Sequence, residues 1–429
     1  MENKNKGITL IALIITIIIL LILVGVSINL AIKGDLFGSA EKAVEGTNDK
    51  TAQEQTRVDE LMGELGRVEE QQRQDNLPGT RVTEPTEYKE GNKTAVIPAG
   101  FTVSKAEGET TIDGGLVIYL INDKTEEEIK KLTWTGTELE NLKKTYDQFV
   151  WIPISHEQIN NMFICQAKTT SNGSCNIVAE NGKAKCTAHN STQMAGRLYA
   201  TSTGESYNNP KKEVYTANTG LREPDVVDSY DGTSAYLYNL TSILGSEYDA
   251  KDKFKNILQT DYNEIVALIY NAKGYYVGRY ETSNLTTTKG TAINVVAGTN
   301  FGISNINWYF MYAQQKAYTT NKQLKSVKSS MILGTCHDQM LEFVNVAGKY
   351  DVTKAGNVGH TSSKFTTKPY LTGGVGYNEN YSGYETEPYK DLSKNIYDLE
   401  GNVCEWTTEA LDTSYRVYRG RLLQQQLFC

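Results

Sequence analysis

Histidine and cysteine are scarce in this chain, basic residues form no dense run, and each shortage removes a class of function. Four histidines in 429 residues (His156, His189, His337 and His360) are scattered without metal-ligand spacing, which argues against a three-histidine iron site. Six cysteines are too few for a disulfide scaffold at this length. The formal net charge of −8 and the absence of a Lys/Arg stripe argue against nucleic acid as a partner. No Ser-His-Asp arrangement and no phosphate-cradling glycine loop is visible. What the chain does have is length for two domains, or for one large domain with appendages. It also has 27 tyrosines and 36 glycines, which suit either an extracellular domain with adaptable contact loops or simply a polar surface.

The clearest single feature is Ile8 to Ile32, 25 residues without a charge. About 20 apolar residues cross a bilayer as a helix, the only single-segment solution that satisfies every backbone group in lipid. Lys4 and Lys6 precede the run and favour an inside amino terminus with the remainder outside. A secretory signal would carry its cleavage site after the apolar core. Here the cleavage-like junction, Lys6-Gly7-Ile8, comes before it. This arrangement resembles the signal of type IV prepilins, and the resemblance implies cutting between Gly7 and Ile8 by a prepilin peptidase. Ala12 stands where that family usually has Glu, a departure that bears on assembly with other pilin subunits. The expected organisation is a leader over 1–7, a transmembrane helix over 8–32, a stalk helix over 33–75 and a linker over 76–93. Val58, Leu61, Leu65 and Val68 give the stalk its helical spacing.

From 94 to 429 short strands, a few amphipathic helices and long loops predict one large α+β domain. FVWIPI, Phe149 to Ile154, reads as a buried strand near an edge because of Pro153, with Trp151 in the core. Phe254, Ile257, Leu258, Ile265, Leu268 and Ile269 have helical spacing, and further helices are predicted at Trp308 to Tyr318 and Cys336 to Val344. The insert-rich segment 155–235 shows little periodicity. It contains Cys165, Cys175, Cys186 and His189, and a mixed-charge loop around Glu223 that reads as a local ion-pair network. Three cysteines and a histidine evoke zinc, but the spacings are wide and no CxxC pair is present. A loop disulfide among Cys165, Cys175 and Cys186, or free thiols, are the alternatives. Near the end, NIYDLEGNVCEWT (Asn395 to Thr407) crowds Asp398, Asn402 and Glu405 around a turn, to bind a cation or to tie the loop to itself.

FVWIPI, YYVGRYE, WYFMYAQQKAY, GNVCEWT and RVYRG, in that order, resemble the formylglycine-generating-enzyme (sulfatase-modifying-factor) domain. The resemblance covers most of 94–420 and implies a C-type-lectin-like fold. It also implies a structural Ca²⁺ held by Asp398, Glu405 and the carbonyls of Gly401 and Val403, donors that suit a hard cation. Asn402, Trp406, Arg416, Arg419 and Gly420 complete the family's signature positions. Cys404 replaces the family's Trp, and the tail RLLQQQLFC has no counterpart, so the domain is expected to be truncated, by a single-base insertion near Arg421. The copper-holding cysteine pair of the enzymes is not matched, so neither copper nor iron is expected.

These readings converge on a non-enzymatic surface protein, with a single membrane span or a place in a pilus, and an extracellular domain that binds a glycan or protein. The alternatives are a copper oxidoreductase of the formylglycine-generating type and a minor structural pseudopilin.

Overall fold

The run QFVWIP is apolar almost without interruption because its strand is covered on both faces. In the computed structural model, Val150 and Ile152 join one buried cluster with Val117, Tyr119 and Val277, while Trp151 joins another with Val103, Leu116 and Ile118. Alternate residues of a strand point to opposite faces, so a strand between two cores needs apolar residues throughout.

The structure describes residues 55–68, 74, 76–166, 175–196, 198–200, 211–213, 223–224, 240–285, 289–297, 307–344, 392–397, 405–410 and 416–419. The chain divides into two units, Met1–Gln72 and Arg73–Cys429. In the first, residues 55–68 are helical, with Leu61 and Val68 exposed.

The second unit opens with the antiparallel hairpin β1 (Thr86–Glu90) and β2 (Lys93–Ile97). There follow β3 (Thr102–Val103), β4 (Val117–Tyr119), helices α1 (Glu126–Lys130) and α2 (Gly136–Thr145), and β5 (Gln148–Pro153). Next come α3 (His156–Met162), β6 (Phe163–Cys165), the hairpin β7 (Ile177–Glu180) and β8 (Lys183–Cys186), and β9 (Met194–Gly196). After β10 (Leu198–Ala200) and β11 (Lys211–Glu213), the long α4 (Lys251–Ala272) leads into β12 (Gly274–Gly278). Helices α5 (Trp308–Asn321) and α6 (Gly334–Val344) precede two short pairs, β13 (Leu392–Ser393) with β14 (Ile396–Tyr397) and β15 (Glu405–Ala410) with β16 (Arg416–Arg419). The main sheet has the order β12-β5-β4-β3, all antiparallel.

Several expectations are corrected. Helices and strands are interleaved along the chain in a mixed α/β architecture. Among the described residues no helix is long and apolar enough to cross a membrane. The interleaving overturns the expectation of an α+β, C-type-lectin-like domain, whereas the helical 55–68 segment lies within the expected 33–75 stalk. The longest described helix in the second unit, α4, carries Lys251, Asp252, Lys253, Lys255, Asp261 and Glu264, so it is an amphipathic globular helix. The apolar run 8–32 lies outside the described residues. FVWIPI is an inner strand, flanked by β12 and β4 and one strand in from the end of the sheet at β12. Pro153 is the last residue of β5, where a missing N–H removes little from the ladder. Residues 76–93 are no linker, because Leu77, Val82 and Tyr88 are buried in the second unit. Gly79 and Val82 also donate their N–H groups to Val103 and Phe101, at 2.8 and 2.9 Å. Apolar residues this sparse look like a linker in sequence, although each one is packed.

The junction between α4 and β12 yields a paired prediction. Lys273 ends α4 in the left-handed conformation, φ 56°, a position that favours glycine. Gly274 follows, and a Cβ there would meet the Trp151 indole and stand 2.6 Å from the Ile152 carbonyl oxygen. Gly274→Ala is expected to destabilise the chain by about 1–3 kcal/mol through overpacking. Lys273→Gly is expected to stabilise it by roughly 0.5–1 kcal/mol by relieving the left-handed residue. Denaturation midpoints of the full chain read both, and shifts of the same sign would count against this account of the junction.

Candidate metal centre

Asn181 and Gly182, with φ of 52° and 73°, form the two-residue turn that joins β7 to β8. Asn-Gly is the sequence that best fits a two-residue hairpin with positive φ at both positions. The hairpin's register places Ile177 opposite Cys186. The chain then closes a tight loop, in which Cys186 N–H donates to the Ser191 carbonyl at 2.8 Å and Ser191 N–H returns to Cys186 at 3.2 Å. This loop carries His189 back over Cys186. Asn176 fixes the neighbouring strand end by donating from Nδ2 to Thr187 Oγ1 at 2.8 Å and accepting Thr187 N–H at 2.9 Å, which sets Cys175 beside the loop. Cys165 arrives from the end of β6, paired with Met194 of β9.

The result is a cluster of three sulfurs around one imidazole nitrogen. His189 Nδ1 lies 3.2 Å from Cys165 Sγ, 3.3 Å from Cys186 Sγ and 3.7 Å from Cys175 Sγ. Cys165 and Cys175 Sγ are 3.7 Å apart, and all four ligand atoms lie within 4.8 Å of one another. All three cysteines are buried free thiols, one of the two alternatives the sequence left open, and not the disulfide, whose sulfurs would sit at about 2.05 Å. Burial and the adjacent Cys175 sulfur push the Cys165 thiol up to about 12. Burial raises the Cys186 thiol too, but the N–H groups of Asn176 and His189 outweigh it and hold Cys186 below the ordinary thiol value. The cysteines belong to an apolar cluster with Ile177, Ala184, Met194, Tyr262, Val266 and Ile269, so α4 forms part of the wall. Gln259 of α4 donates to the Met194 carbonyl at 3.0 Å, and Asn263 Oδ1 accepts the Met194 N–H at 3.0 Å, satisfying the outer edge of β9.

Glu223 is the second buried group of note. The mixed-charge loop predicted an ion pair, yet the carboxylate is fully buried and served by hydroxyl and backbone donors. It accepts from Gly334 N–H at 2.6 Å, Thr335 N–H at 3.0 Å, Thr335 Oγ1 at 2.7 Å and Tyr262 Oη at 3.0 Å, and also from Thr408 Oγ1. The first two are unpaired donors of the α6 N-terminus, where a negative charge is favoured. A third buried network joins Arg279 to Glu109 at 2.7 Å, with Tyr119 and Gln148 accepting from Arg279 Nη1 at 3.1 and 3.0 Å.

The other expected site residues are placed unevenly. Gly7 and Ile8, and Asp398, Gly401, Asn402, Val403 and Gly420, lie outside the described residues. Glu405 and Trp406 lie on β15, where the register sets Glu405 opposite Arg419 and Trp406 opposite Tyr418, with Arg416 opposite Ala410. Of the expected calcium ligands, only Glu405 is among the described residues. Asn395 donates from Nδ2 to the carbonyls of Gly108 and Gly115, each at 2.8 Å, anchoring the start of that stretch to the β3–β4 connection. Comparison of the chain with family models, curated proteins and solved structures returned no match.

Two predictions follow from the electrostatics. Glu223→Gln would turn an amide N–H₂ toward donors that need an acceptor, and is expected to cost at least about 2 kcal/mol. Equilibrium unfolding of the full chain measures it, and a loss below about 0.5 kcal/mol would contradict the hydrogen-bond assignment. On the outer side of α4, Asp261 pairs with Lys316 and accepts from Lys328 Nζ at 2.9 Å. Burial raises the Asp261 carboxyl, but the two ammonium groups outweigh it and set it below the ordinary value. A depressed carboxyl contributes stability that is present above the ordinary carboxylate range and is lost as pH falls through the folded value. Asp261→Asn should therefore flatten the acid limb of stability against pH, read from urea midpoints at graded pH. An unchanged slope would refute the pairing.

Proposed function

We propose that this chain is an anchored bacterial surface protein, held in a membrane or a pilus by its amino-terminal segment, whose second unit is a non-enzymatic ligand-binding module. The observation that carries the reading is the inward turn of the reactive side chains. The thiols and imidazole of the cysteine cluster face one another, Glu223 is surrounded by hydroxyl and backbone donors, and Arg279 is paired with Glu109. Among the described residues such groups act as internal fastenings, and recognition then falls to the segments rich in Tyr, Asn and Gly. The junction Lys6-Gly7-Ile8 and the charge-free 8–32 run supply the support for anchoring, with a prepilin peptidase as the processing partner.

Co-expression of the full chain with a prepilin peptidase tests the anchor. Mass spectrometry should show loss of residues 1–7, and Gly7→Val should block it. Arrays of glycans and cell-surface proteins probed with the full chain in detergent should reveal one bound ligand class. An intact amino terminus would overturn the processing step, and an array without binding would overturn the module.

A further inference from the structure

We propose that Cys165, Cys175, Cys186 and His189 together hold one Zn²⁺ in a closed tetrahedral site that fastens the β7–β8 hairpin to the body of the second unit. This inference stands apart from the surface-display reading and does not depend on it.

The first argument is the shape of the cluster. Zinc binds thiolate sulfur at about 2.3 Å and imidazole nitrogen at about 2.0–2.1 Å, so a regular tetrahedron has S···S edges of about 3.8 Å and S···N edges of about 3.5 Å. The Cys165–Cys175 S···S edge is 3.7 Å, the other two S···S edges lie within 4.8 Å, and the three S···N edges are 3.2, 3.3 and 3.7 Å. A disulfide between two of the cysteines would draw them to about 2.05 Å and leave the third thiol and the imidazole without a role. Three thiols around one ring nitrogen are also poorly matched as hydrogen-bond partners, because S–H is a weak donor and the nitrogen accepts only one bond.

The second argument is donor chemistry. Three sulfurs and one nitrogen are soft and borderline ligands, suited to zinc and not to calcium or magnesium. The N–H of Cys165 points at Cys175 Sγ, 3.4 Å away, the kind of outer hydrogen bond that steadies a metal-bound thiolate. The third is closure. All three cysteines are buried and four protein donors complete the tetrahedron, which leaves no position for water or substrate and marks the site as structural. Binding exchanges the three thiol protons for the metal, so each zinc taken up as Zn²⁺ releases up to three protons to solvent.

The test uses the full chain purified under reducing conditions. Elemental analysis should find one zinc per chain, and Co²⁺ in its place should give sulfur-to-cobalt charge transfer with the intense visible bands of tetrahedral cobalt. Cys186→Ser and His189→Ala should each weaken Zn²⁺ binding by at least about 100-fold, the upper end of what loss of a mere supporting group costs. Cys336→Ser, at a buried cysteine that is not one of the four ligands, should bind as the parent does. Should the ligand variants fail to fold, hydrogen exchange on the parent chain decides. Chelation should deprotect residues 175–191, and added Zn²⁺ should restore them. A chain that takes up no zinc, zinc kept by the Cys186→Ser/His189→Ala double variant, or a native Cys165–Cys175 disulfide found by mass spectrometry would overturn the proposal.

Discussion

Glu223 holds together parts of the second unit that are far apart in sequence, and much of the packing around it follows from the need to keep a buried carboxylate supplied with donors. It caps α6 through Gly334 and Thr335, reaches α4 through Tyr262 and β15 through Thr408, and its carbonyl accepts Gly196 N–H at the end of β9. A buried charge is tolerable only when paired or fully hydrogen-bonded, and here two of the donors are the unpaired N–H groups of a helix start. The arrangement also explains Gly334, since a Cβ at that position would collide with the side chain of Glu409. Close approach of β15 to α6 therefore requires glycine at the helix start. The Trp308 indole completes the clamp on β15 by donating to the Thr407 carbonyl at 2.6 Å.

The Arg279–Glu109 pair plays the corresponding part on the main sheet. Both side chains are almost wholly buried, at 2% and 5% exposure. Ser104 and Tyr119 donate to the Glu109 carboxylate, and the Tyr280 and Tyr397 rings each lie 5.6 Å from the guanidinium carbon. A buried ion pair adds little net stability, because desolvation offsets most of the attraction, yet removing one partner costs roughly 3–5 kcal/mol. Its consequence is register: Arg279 follows β12 directly, and its carbonyl accepts the Tyr397 N–H at 2.9 Å, aligning β14 with the sheet.

What could be read from the amino-acid sequence was local. Continuous apolarity identified β5, and the spacing of Phe254, Leu258 and Ile269 identified α4, because burial of one face or two leaves a periodic trace. Trp151 was legible as core for the same reason. The strands flanking β5 were not, since pairing with β12 joins residues more than a hundred positions apart. The Asn181-Gly182 turn was a usable signal for the β7–β8 hairpin, obscured by the polar strands on either side. Glu223 was misread because charge pattern alone cannot distinguish a solvated loop from a carboxylate buried among hydroxyls. The motif stretch from Asn395 indicated a structured corner, and its first residue does tie down the β3–β4 connection, but family likeness led to the wrong overall architecture.

The cysteine cluster shows why spacing along the chain was a poor guide to its chemistry. Compact zinc motifs place paired ligands on one turn, and only Cys186 and His189 do so here. Cys165 and Cys175 are brought in by β6 and by the strand end before β7, so the set exists only in three dimensions. A hairpin of two four-residue strands is marginal by itself. The polar residues Glu180, Lys183 and Lys185 leave Ile177, Ala184 and Cys186 as its main apolar contribution to the cluster against α4. Those apolar residues seat the hairpin on α4, and a metal crosslink through Cys186, His189 and Cys175 to Cys165 adds a tie in a second direction, to β6.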